Sequence, residues 1–381
     1  MIIERVTLRL LDLPLVEPFR TAHGSTTTRQ IVVARVDTDR GHGWGECSAL
    51  PEPTYTAEYA LGAFVTISEH LAPLLLAPGV DVDGSTIAAA LSPIVGHPMA
   101  KAGLEMAVLD AELRHEEISL ATHLRTMDGG ALGAPGSAGP GPQSVPAGAA
   151  LGLVPLDTVG ARVEQLAAAG FGRIKVKIEP GADLSVVEAA RAAVPGIDLQ
   201  VDANGSFADQ HRTLVAEIAH AGVSAIEQPF SPEAVDLAAE LVATAPVPIV
   251  ADEAAPTADH VADLVAAGAA SGVSIKPARL GGITAALDLV DRCRSWGLAA
   301  TAGGMIECGL GRHALIALSA LDTFSITGDL SPGGRWLAAD PWPDVTMTNG
   351  AMTVPRGPGV APEPDPDVLD RFTVRAVTIS R

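Results

Sequence analysis

Charged residues close five successive short apolar stretches in the second half of this 381-residue sequence. The stretches RIKVKI, LQVDA, SAIEQP, PIVADE and GVSIKP carry, in that order, Lys177, Asp202, Glu227, Asp252 and Lys276. Successive members of the set lie about 25 residues apart, and Ala-rich segments with a helical pattern separate them. Since alternating strands and helices predict a parallel sheet, each interval corresponds to one strand–helix unit.

The number of strand–helix units decides between the two common parallel architectures. Seven or eight units follow Ser144 within about 190 residues, which favours an α/β fold of the (β/α)7-8 TIM-like barrel type over an open sheet. No GxGxxG turn follows a first strand, which weakens the case for a dinucleotide-binding sheet. Because every strand of a parallel barrel ends at the same rim, the five charged side chains should meet there.

The rest of the chain predicts a smaller domain that caps the barrel. Residues 1–128 combine strand-like stretches with helical ones, and we expect them to form an α+β capping domain. Residues 129–143 are rich in Gly, Pro and Ala and predict a flexible insertion. We assign the barrel to residues 144–330 and expect the tail, residues 331–381, to return to the capping domain.

Charge and hydropathy argue against several classes of protein. The chain has 25 Lys and Arg against 45 Asp and Glu, a formal charge of −20, which argues against nucleic acid and anionic membranes as partners. No uninterrupted apolar run reaches about 18 residues, and the N-terminus lacks the pattern of a secretory signal. The three widely spaced Cys residues are typical of reduced thiols, so we expect a cytoplasmic protein.

Three carboxylates at one rim would repel each other unless a cation joins them. Asp202, Glu227 and Asp252 offer only oxygen ligands, which select a hard ion. Mg²⁺ fits this set best, with Mn²⁺ as the alternative. We expect Asn204 to support the metal ligands beside the substrate and Glu253 to be a hydrogen-bonding partner of the set. Alternatively, Asn204 is simply a turn residue, and Glu253 has a surface or capping role.

Lysine is rare enough in this sequence to be informative. Lys accounts for only four of the 25 basic residues, and an ammonium group can become a base whereas guanidinium effectively cannot. Lys175 faces the same side of its strand as Lys177, where its charge should lower the pKa of Lys177 toward that of a general base. Lysines flanking a metal-bound carboxylate substrate could remove and return the proton on the adjacent carbon, through an enediolate that the metal stabilises.

Simpler interpretations exist for the individual residues. A Lys-x-Lys pair often lies on a solvated strand, and a strand-end Asp often caps a helix. Lys101, on a predicted amphipathic helix, fits such a surface role. A binding barrel without catalysis and a Schiff-base aldolase are further alternatives, although three carboxylates suit metal binding better. The regular spacing favours a metal-dependent enzyme that acts on a small-molecule carboxylate.

Motifs along nearly the whole chain resemble the enolase superfamily, specifically its muconate-lactonizing subgroup. They are IKVKIEP, VDANGS, IEQP, ADE, IKPARLGG and GGMIECGLGRHALIALSAL. The last of these, with TGDLS and GHPMAKAGLEMAVLDAEL, looks like the branch that holds o-succinylbenzoate synthases and N-acylamino acid racemases. The resemblance implies that Lys177 and Lys276 are acid–base partners on opposite faces of the substrate and that the carboxylates bind Mg²⁺.

Further roles follow from the resemblance alone. Arg279 would tune Lys276, as in members that can racemise, and the chain would form a homo-oligomer. Substrate contacts are implied for Lys175 at the carboxylate, for Gly304, Met305 and Ile306 at the succinyl part, and for Phe19, His23 and Tyr55 at the distal end.

The resemblance implies a Mg²⁺-dependent o-succinylbenzoate synthase, which dehydrates a cyclohexadiene carboxylate in menaquinone biosynthesis. Racemisation of N-succinylamino acids by two lysines is the alternative, alone or as a second activity, and a muconate cycloisomerase fits less well. Three features depart from the branch. Ala149-Ala150 stands where a hydroxyl is common, His23 stands where an apolar residue is common, and the insertion at 129–142 is extra. They bear on the substrate rather than on the metal and lysine chemistry.

Overall fold

The N-terminal part of the chain forms an antiparallel sheet. The structure is a computed structural model, which describes residues 1–21, 24–128 and 141–381. Strand β2 lies between β1 and β3 and pairs with both in antiparallel fashion. Buried apolar side chains from these strands form one face of a core shared with the following helices. The strands are β1 (Ile3–Thr21), β2 (Gly24–Thr38) and β3 (Gly41–Cys47).

Helices cover one face of this sheet, and one of them lies directly against β3. A Cβ atom at Gly45 would lie 1.9 Å from the carbonyl oxygen of Gly103, so only glycine allows the helix and the strand to approach this closely. The helices are α1 (Ala60–Thr66), continued by a π-helical turn (Ile67–Leu71), α2 (Ala72–Leu75), α3 (Ile87–Leu91), α4 (Pro98–His115) and α5 (Leu120–Met127).

Helix α4 is buried on more sides than the predicted amphipathic surface helix would be. Glu105 is buried and accepts hydrogen bonds from the backbone N–H groups of Ile283 and Thr284, which belong to the barrel. Lys101 is half-buried and donates a hydrogen bond to the carbonyl of Ile94. This buried carboxylate is therefore one of the contacts that tie the capping domain to the barrel, and the polar positions of this helix are only partly solvated.

The second half of the chain forms seven parallel strands with helices between them. The sheet order follows the chain order, as expected for successive right-handed strand–helix units. The strands are β5 (Gly148–Leu151), β6 (Arg173–Lys177), β7 (Asp198–Asp202), β8 (Ala225–Glu227), β9 (Ile249–Ala251), β10 (Gly272–Ile275) and β11 (Ala299–Ala302). The helices are α6 (Leu156–Ala168), α7 (Leu184–Ala193), α8 (Arg212–His220), α9 (Val235–Thr244), α10 (Ala258–Ala266), α11 (Pro277–Leu280), α12 (Ile283–Trp296) and α13 (Gly309–Leu318).

An irregular segment, residues 326–330, closes the gap between the two edge strands. The backbone N–H of Ile326 and that of Asp329 donate to carbonyls of β11, at 3.1 and 2.9 Å. On the other side, Gly148 N donates to the carbonyl of Leu330 at 2.9 Å. The segment therefore occupies the place of an eighth strand, and the TIM-like barrel with a capping domain that the sequence predicted is confirmed.

The tail divides between the two parts of the molecule. Strands β12 (Met347–Thr348) and β13 (Ala351–Thr353) pair with β4 (Ser144–Pro146), just before the first barrel strand. After α14 (Pro366–Phe372), strand β14 (Thr373–Ser380) pairs with β1 at the edge of the capping sheet. The end of the tail thus joins the capping sheet, and Leu337 near its start also bridges to Leu15 of β1. The domain boundaries stay predictions, and residues 129–140 of the predicted insertion lie outside the described part of the chain.

No helix among the described residues has the length and apolar character that crossing a membrane requires.

Candidate active site

The ends of three adjacent strands place the first charged residues side by side. In the parallel register, Lys177 on β6 lies opposite Asp202 on β7, which lies opposite Glu227 on β8. Asp252 and Lys276 directly follow β9 and β10. All five are buried except Lys177, which is partly exposed. The structure therefore brings the residues of the 25-residue repeat to one rim, as their spacing predicted.

On the β6–β7 side, the ammonium group of Lys177 is held by barrel residues. Its Nζ donates to Asp202 Oδ2 and to Asn204 Oδ1, both at 2.6 Å. Asn204 adopts a left-handed backbone conformation, with φ of 45°, which Asn tolerates better than most residues. Its side-chain amide donates to Glu253 Oε1 at 2.8 Å. Asn204 thus orients Lys177, and Glu253 orients Asn204.

On the β10 side, Lys276 is enclosed by the barrel and the capping domain together. Its Nζ donates to Asp252 Oδ2 at 2.7 Å and to the hydroxyl of Tyr55 at 2.9 Å. Arg279 Nη1 donates to the other Asp252 oxygen at 2.6 Å and to the same hydroxyl at 2.5 Å. Tyr55 therefore contacts Lys276 itself, and Arg279 shares both partners of that lysine. The place of Tyr55 at the distal end of the substrate, which the resemblance implies, stays a prediction.

The centre of the rim contains a carboxylate, Asp329, that is not among the predicted site residues. Lys175 Nζ donates to Glu227 Oε2 at 2.6 Å and to Asp329 Oδ2 at 2.8 Å, and it lies 3.6 Å from Asp202 Oδ2. Asp329 also accepts from Arg173 at 2.6 Å. It belongs to the irregular closing segment, where no apolar strand pattern marks a strand end. The TGDLS motif was the available signal.

The pKa values at this rim reflect burial opposed by close charges. Burial raises the pKa of Glu227 to about 7, with Lys175 lowering it and the neighbouring carboxylates raising it further. Burial also raises the pKa of Asp252, but Lys276 and Arg279 lower it more, so that it ends below its usual range. For Lys276, burial lowers the pKa and Asp252 raises it more, so that it lies well above the ordinary value.

Lys175 also has a raised pKa, because the carboxylates of Asp329 and Glu227 outweigh the effect of its burial. The sequence predicts a lowered pKa for Lys177, with Lys175 as the cause, and that stays a prediction. Lys175 and Lys276 are themselves held in the ammonium form, since each is paired with a buried carboxylate.

The three carboxylates fit a divalent cation in their chemistry, although their side chains are not arranged around a common ion position. Asp202, Glu227 and Asp252 are buried oxygen donors on neighbouring strands, and their mutual repulsion contributes to the raised pKa of Glu227. Within the described ranges, no three His, Cys, Asp or Glu side chains lie together closely enough to hold an ion. Each carboxylate is bonded instead to an ammonium or guanidinium group.

The loop after β11 contains the other predicted substrate contacts. Gly303 approaches Lys276 so closely that a Cβ atom there would lie 2.6 Å from Lys276 Cε. Gly304 lies beside Asp329, where its added Cβ would be 3.4 Å from that side chain. Met305 is buried, and Ile306 has a φ of 53°. This loop therefore borders both Lys276 and Asp329.

His23 and the side chain of Phe19 lie outside the described residues, so their predicted roles are not tested.

Gln228 accepts from the backbone N–H of Asp252 at 2.9 Å and so supports that carboxylate's strand end. At the first strand, the carbonyl of Ala150 accepts a hydrogen bond from Arg335 at 2.6 Å.

Two family models match this chain in the order of its two parts. Residues 5–124 match the mandelate racemase / muconate lactonizing enzyme N-terminal domain. Residues 158–368, more than half of the chain, match the enolase C-terminal domain-like family. The chain belongs to the mandelate racemase and muconate lactonizing enzyme family of the enolase superfamily. The resemblance seen in the motifs is confirmed.

Members of this family resemble the chain over its whole length. An N-succinylamino acid racemase from Amycolatopsis sp is 38% identical, with 98% of each chain covered. An o-succinylbenzoate synthase from Bacillus subtilis is 32% identical, with 98% of this chain and 97% of the relative covered. A solved enolase superfamily member from Listeria innocua has a TM-score of 0.90 at 31% identity, with 100% of this chain and 99% of that chain covered.

Proposed function

We propose that this protein is a Mg²⁺-dependent o-succinylbenzoate synthase, which takes the proton next to the carboxylate of a cyclohexadiene substrate and eliminates water. The observation that carries the proposal is the row of strand-end residues. Lys177 and Lys276 stand at its two ends, and each is bonded to a different carboxylate, Asp202 or Asp252. Full-length relatives named o-succinylbenzoate synthase support the assignment.

In this proposal the two lysines have different tasks. Lys177 in its neutral form takes the proton at Nζ, which Asp202 and Asn204 orient. The proton it gains is then available to the departing hydroxide, which leaves as water. Lys276, held by Asp252 and Tyr55, remains an ammonium group and balances the negative charge that develops on the substrate.

Asp202, Glu227 and Asp252 would hold the metal ion, because they are the buried oxygen donors of adjacent strands. When bound, Mg²⁺ would bind the substrate carboxylate and make the adjacent proton more acidic. Lys175, between Glu227 and Asp329, is placed to hold a substrate oxygen at the centre of the rim.

A racemase of N-succinylamino acids is the second candidate, and one contact favours it. Racemisation needs Lys276 as a second base, and Arg279 shares Asp252 and the Tyr55 hydroxyl with Lys276. The positive charge of Arg279 opposes the effect of Asp252 on the pKa of Lys276 and so favours the neutral form that a base needs. The relative at 38% identity bears the racemase name.

One experiment separates these candidates. The purified protein is incubated in D₂O with Mg²⁺ and either the cyclohexadiene precursor or each enantiomer of an N-succinylamino acid. We expect o-succinylbenzoate from the first substrate, and loss of turnover with a chelator should be reversed by Mg²⁺ or Mn²⁺. Dehydration alone supports the synthase, and deuterium in both enantiomers supports the racemase. Intact metal binding with neither reaction would reject both.

The cellular setting expected from the sequence stays a prediction. We propose that the enzyme is a cytoplasmic homo-oligomer that supplies an aromatic precursor of menaquinone. The relatives that carry the synthase name support the pathway. Light scattering of the purified protein would give the oligomeric state.

A further inference from the structure

The loop between β11 and α13, residues 303–308, is here called the pocket loop. It leaves the barrel at Gly303, whose N–H donates to the carbonyl of Ile275 at 3.0 Å, beside Lys276. Its other end leads into α13. Because it borders Lys276 and Asp329, its shape determines part of the space that a substrate could occupy.

One peptide of the pocket loop has an unfavourable conformation. Ile306 has a φ of 53°, in the left-handed region that glycine and asparagine favour. A β-branched residue is rare in that region because its side chain crowds its own backbone. Such a conformation persists only where the surroundings hold it in place. The structure must therefore supply a contact that fixes this peptide.

That contact comes from the capping domain. Arg29, on β2, is almost fully buried, with 1% of its surface exposed. Its Nε donates to the carbonyl of Ile306 at 3.1 Å. Its other hydrogen bonds go to carbonyls within the capping domain, to Gln30 at 2.6 Å, to Ala49 at 2.7 Å and to Ser48. The guanidinium thus links the exit of β3 to the strained peptide of the pocket loop.

The charge of Arg29 makes this arrangement costly. Burial lowers the pKa of Arg29, and the carboxylates of Glu46 and Glu307 oppose that effect. Guanidinium cannot escape the cost of burial by losing its proton, so it must be fully hydrogen-bonded. A side chain used only to fill the core would be apolar. Three of its bonds hold Arg29 in the cap, and the fourth acts across the interface.

A second buried side chain of the cap holds the far end of the same loop. Glu46 Oε2 accepts from the backbone N–H of Gly311 at 2.9 Å and from Cys308 Sγ at 3.0 Å. Within the loop, Glu307 Oε1 accepts from the N–H of Met305 at 2.7 Å. The pocket loop is therefore attached to the cap at two places, while its first residue is attached to the barrel.

We propose that Arg29 is a positioning residue that holds the pocket loop in its left-handed conformation and thereby sets the fit of the substrate. Arg29 acts through the peptide of Ile306. The part of this proposal that concerns substrate fit rests on the proposed function. The part that concerns the loop does not, and it is tested separately.

The first test measures the loop without any substrate. Hydrogen–deuterium exchange is followed in Arg29→Lys and in a matched control, Arg35→Lys, whose guanidinium bonds to Asp37 on the same strand. We expect the amide of Met305 to exchange at least tenfold faster in Arg29→Lys only, with β7 amides unchanged. An unchanged loop in folded Arg29→Lys would overturn the proposal.

A second measurement uses the unaltered protein and applies even if Arg29→Lys does not fold. Exchange is followed at rising, sub-denaturing urea concentrations, which show which segments open together. We expect the amides of Met305 and Gly311 to open together with those of Ile31 and Val33 in the capping sheet. If they open only with β11, the cap does not hold the loop, and the proposal fails.

The kinetic test applies once turnover is found. We expect Arg29→Lys to raise KM about tenfold while kcat stays within about threefold. A displaced pocket loop should weaken substrate binding more than it slows proton transfer. A purely structural role would lower the fraction of active enzyme and leave KM unchanged, and that result would reject substrate positioning. If the enzyme turns over neither proposed substrate, the proposed function fails while the exchange tests still decide the role of Arg29.

Discussion

The two ends of the charged row differ in what holds them. Lys177 is oriented by Asp202 and Asn204, both on the barrel, and 11% of its side chain is exposed. Lys276 is enclosed by Asp252 from the barrel and Tyr55 from the cap, and Gly303 lies against its stem. One lysine therefore depends on a single domain and the other depends on two.

This difference suits the two lysines to different chemical tasks. A base that must lose and regain a proton benefits from access to the substrate and from few partners. A permanent ammonium group benefits from enclosure, since the low dielectric strengthens its effect on nearby charge. The barrel side therefore suits the reacting base, and the side shared with the cap suits selection and charge balance. Three predictions test this division, beginning with the largest expected effect, and a fourth concerns the stability of the cap side.

Replacing Lys177 should remove the reaction. We expect Lys177→Ala to lower kcat of dehydration by about 1,000-fold or more, because a positioned acid–base group typically contributes about 10²–10⁴. Lys101→Ala, a matched lysine on α4 that bonds to a backbone carbonyl, should leave kcat within about twofold. Steady-state kinetics with the cyclohexadiene substrate measure both. Equal activity of the Lys177 variant would contradict the assignment of the base.

Replacing Lys276 by Arg should have a smaller effect on dehydration. The positive charge is retained, so we expect kcat to fall about 10- to 100-fold, partly because the bulkier guanidinium meets Gly303. Guanidinium cannot serve as a base, so deuterium exchange into one enantiomer of an N-succinylamino acid should disappear while exchange into the other persists. Equal loss of exchange into both enantiomers would show that Lys177 and Lys276 do not act independently.

Adding a methyl group at Gly303 should perturb Lys276 without changing any charge. A Cβ there would lie 2.4 Å from Ser274 Oγ and 2.6 Å from Lys276 Cε. We expect Gly303→Ala to lower kcat about tenfold and to lower the melting temperature by several degrees, as overpacking costs about 1–3 kcal/mol. Gly172→Ala is the control, since nothing lies within 4 Å of its added carbon. Identical behaviour of the two variants would refute the close approach.

The smallest effect concerns stability and pH. Burial raises the pKa of Glu46 to about 7, with the Cys308 thiol lowering it and Glu307 raising it. Because the folded pKa exceeds the unfolded value of 4.5, the folded state binds more protons between these values, and its stability falls as pH rises from about 4.5 to 7.

Glu46→Gln should therefore flatten the dependence of the melting temperature on pH over that range. Thermal unfolding at pH 4.5, 6 and 7.5 measures the effect, with Glu52→Gln as an exposed control. An unchanged slope in Glu46→Gln would show that other buried acids, such as Asp340, dominate the pH dependence.

The regular spacing explains why so much of the rim could be predicted. A strand–helix unit has a nearly fixed length, so Lys177, Asp202, Glu227 and Asp252 reveal their common edge in the sequence. Asp329 lies in an irregular segment, and its place at the rim becomes visible only when that segment closes the sheet. Arg29 lies in the capping domain, far from Ile306 in the sequence, and no local pattern connects it to the peptide of Ile306.

The pairing of β14 with β1 joins residues more than 360 positions apart, such as Thr7 with Thr378. During synthesis on the ribosome, β1 emerges before the barrel and β14 emerges after it. The edge of β1 that pairs with β14 therefore stays open while the barrel is translated. Removing residues 373–381 would leave the nascent sheet permanently unfinished, with a long edge available to another chain.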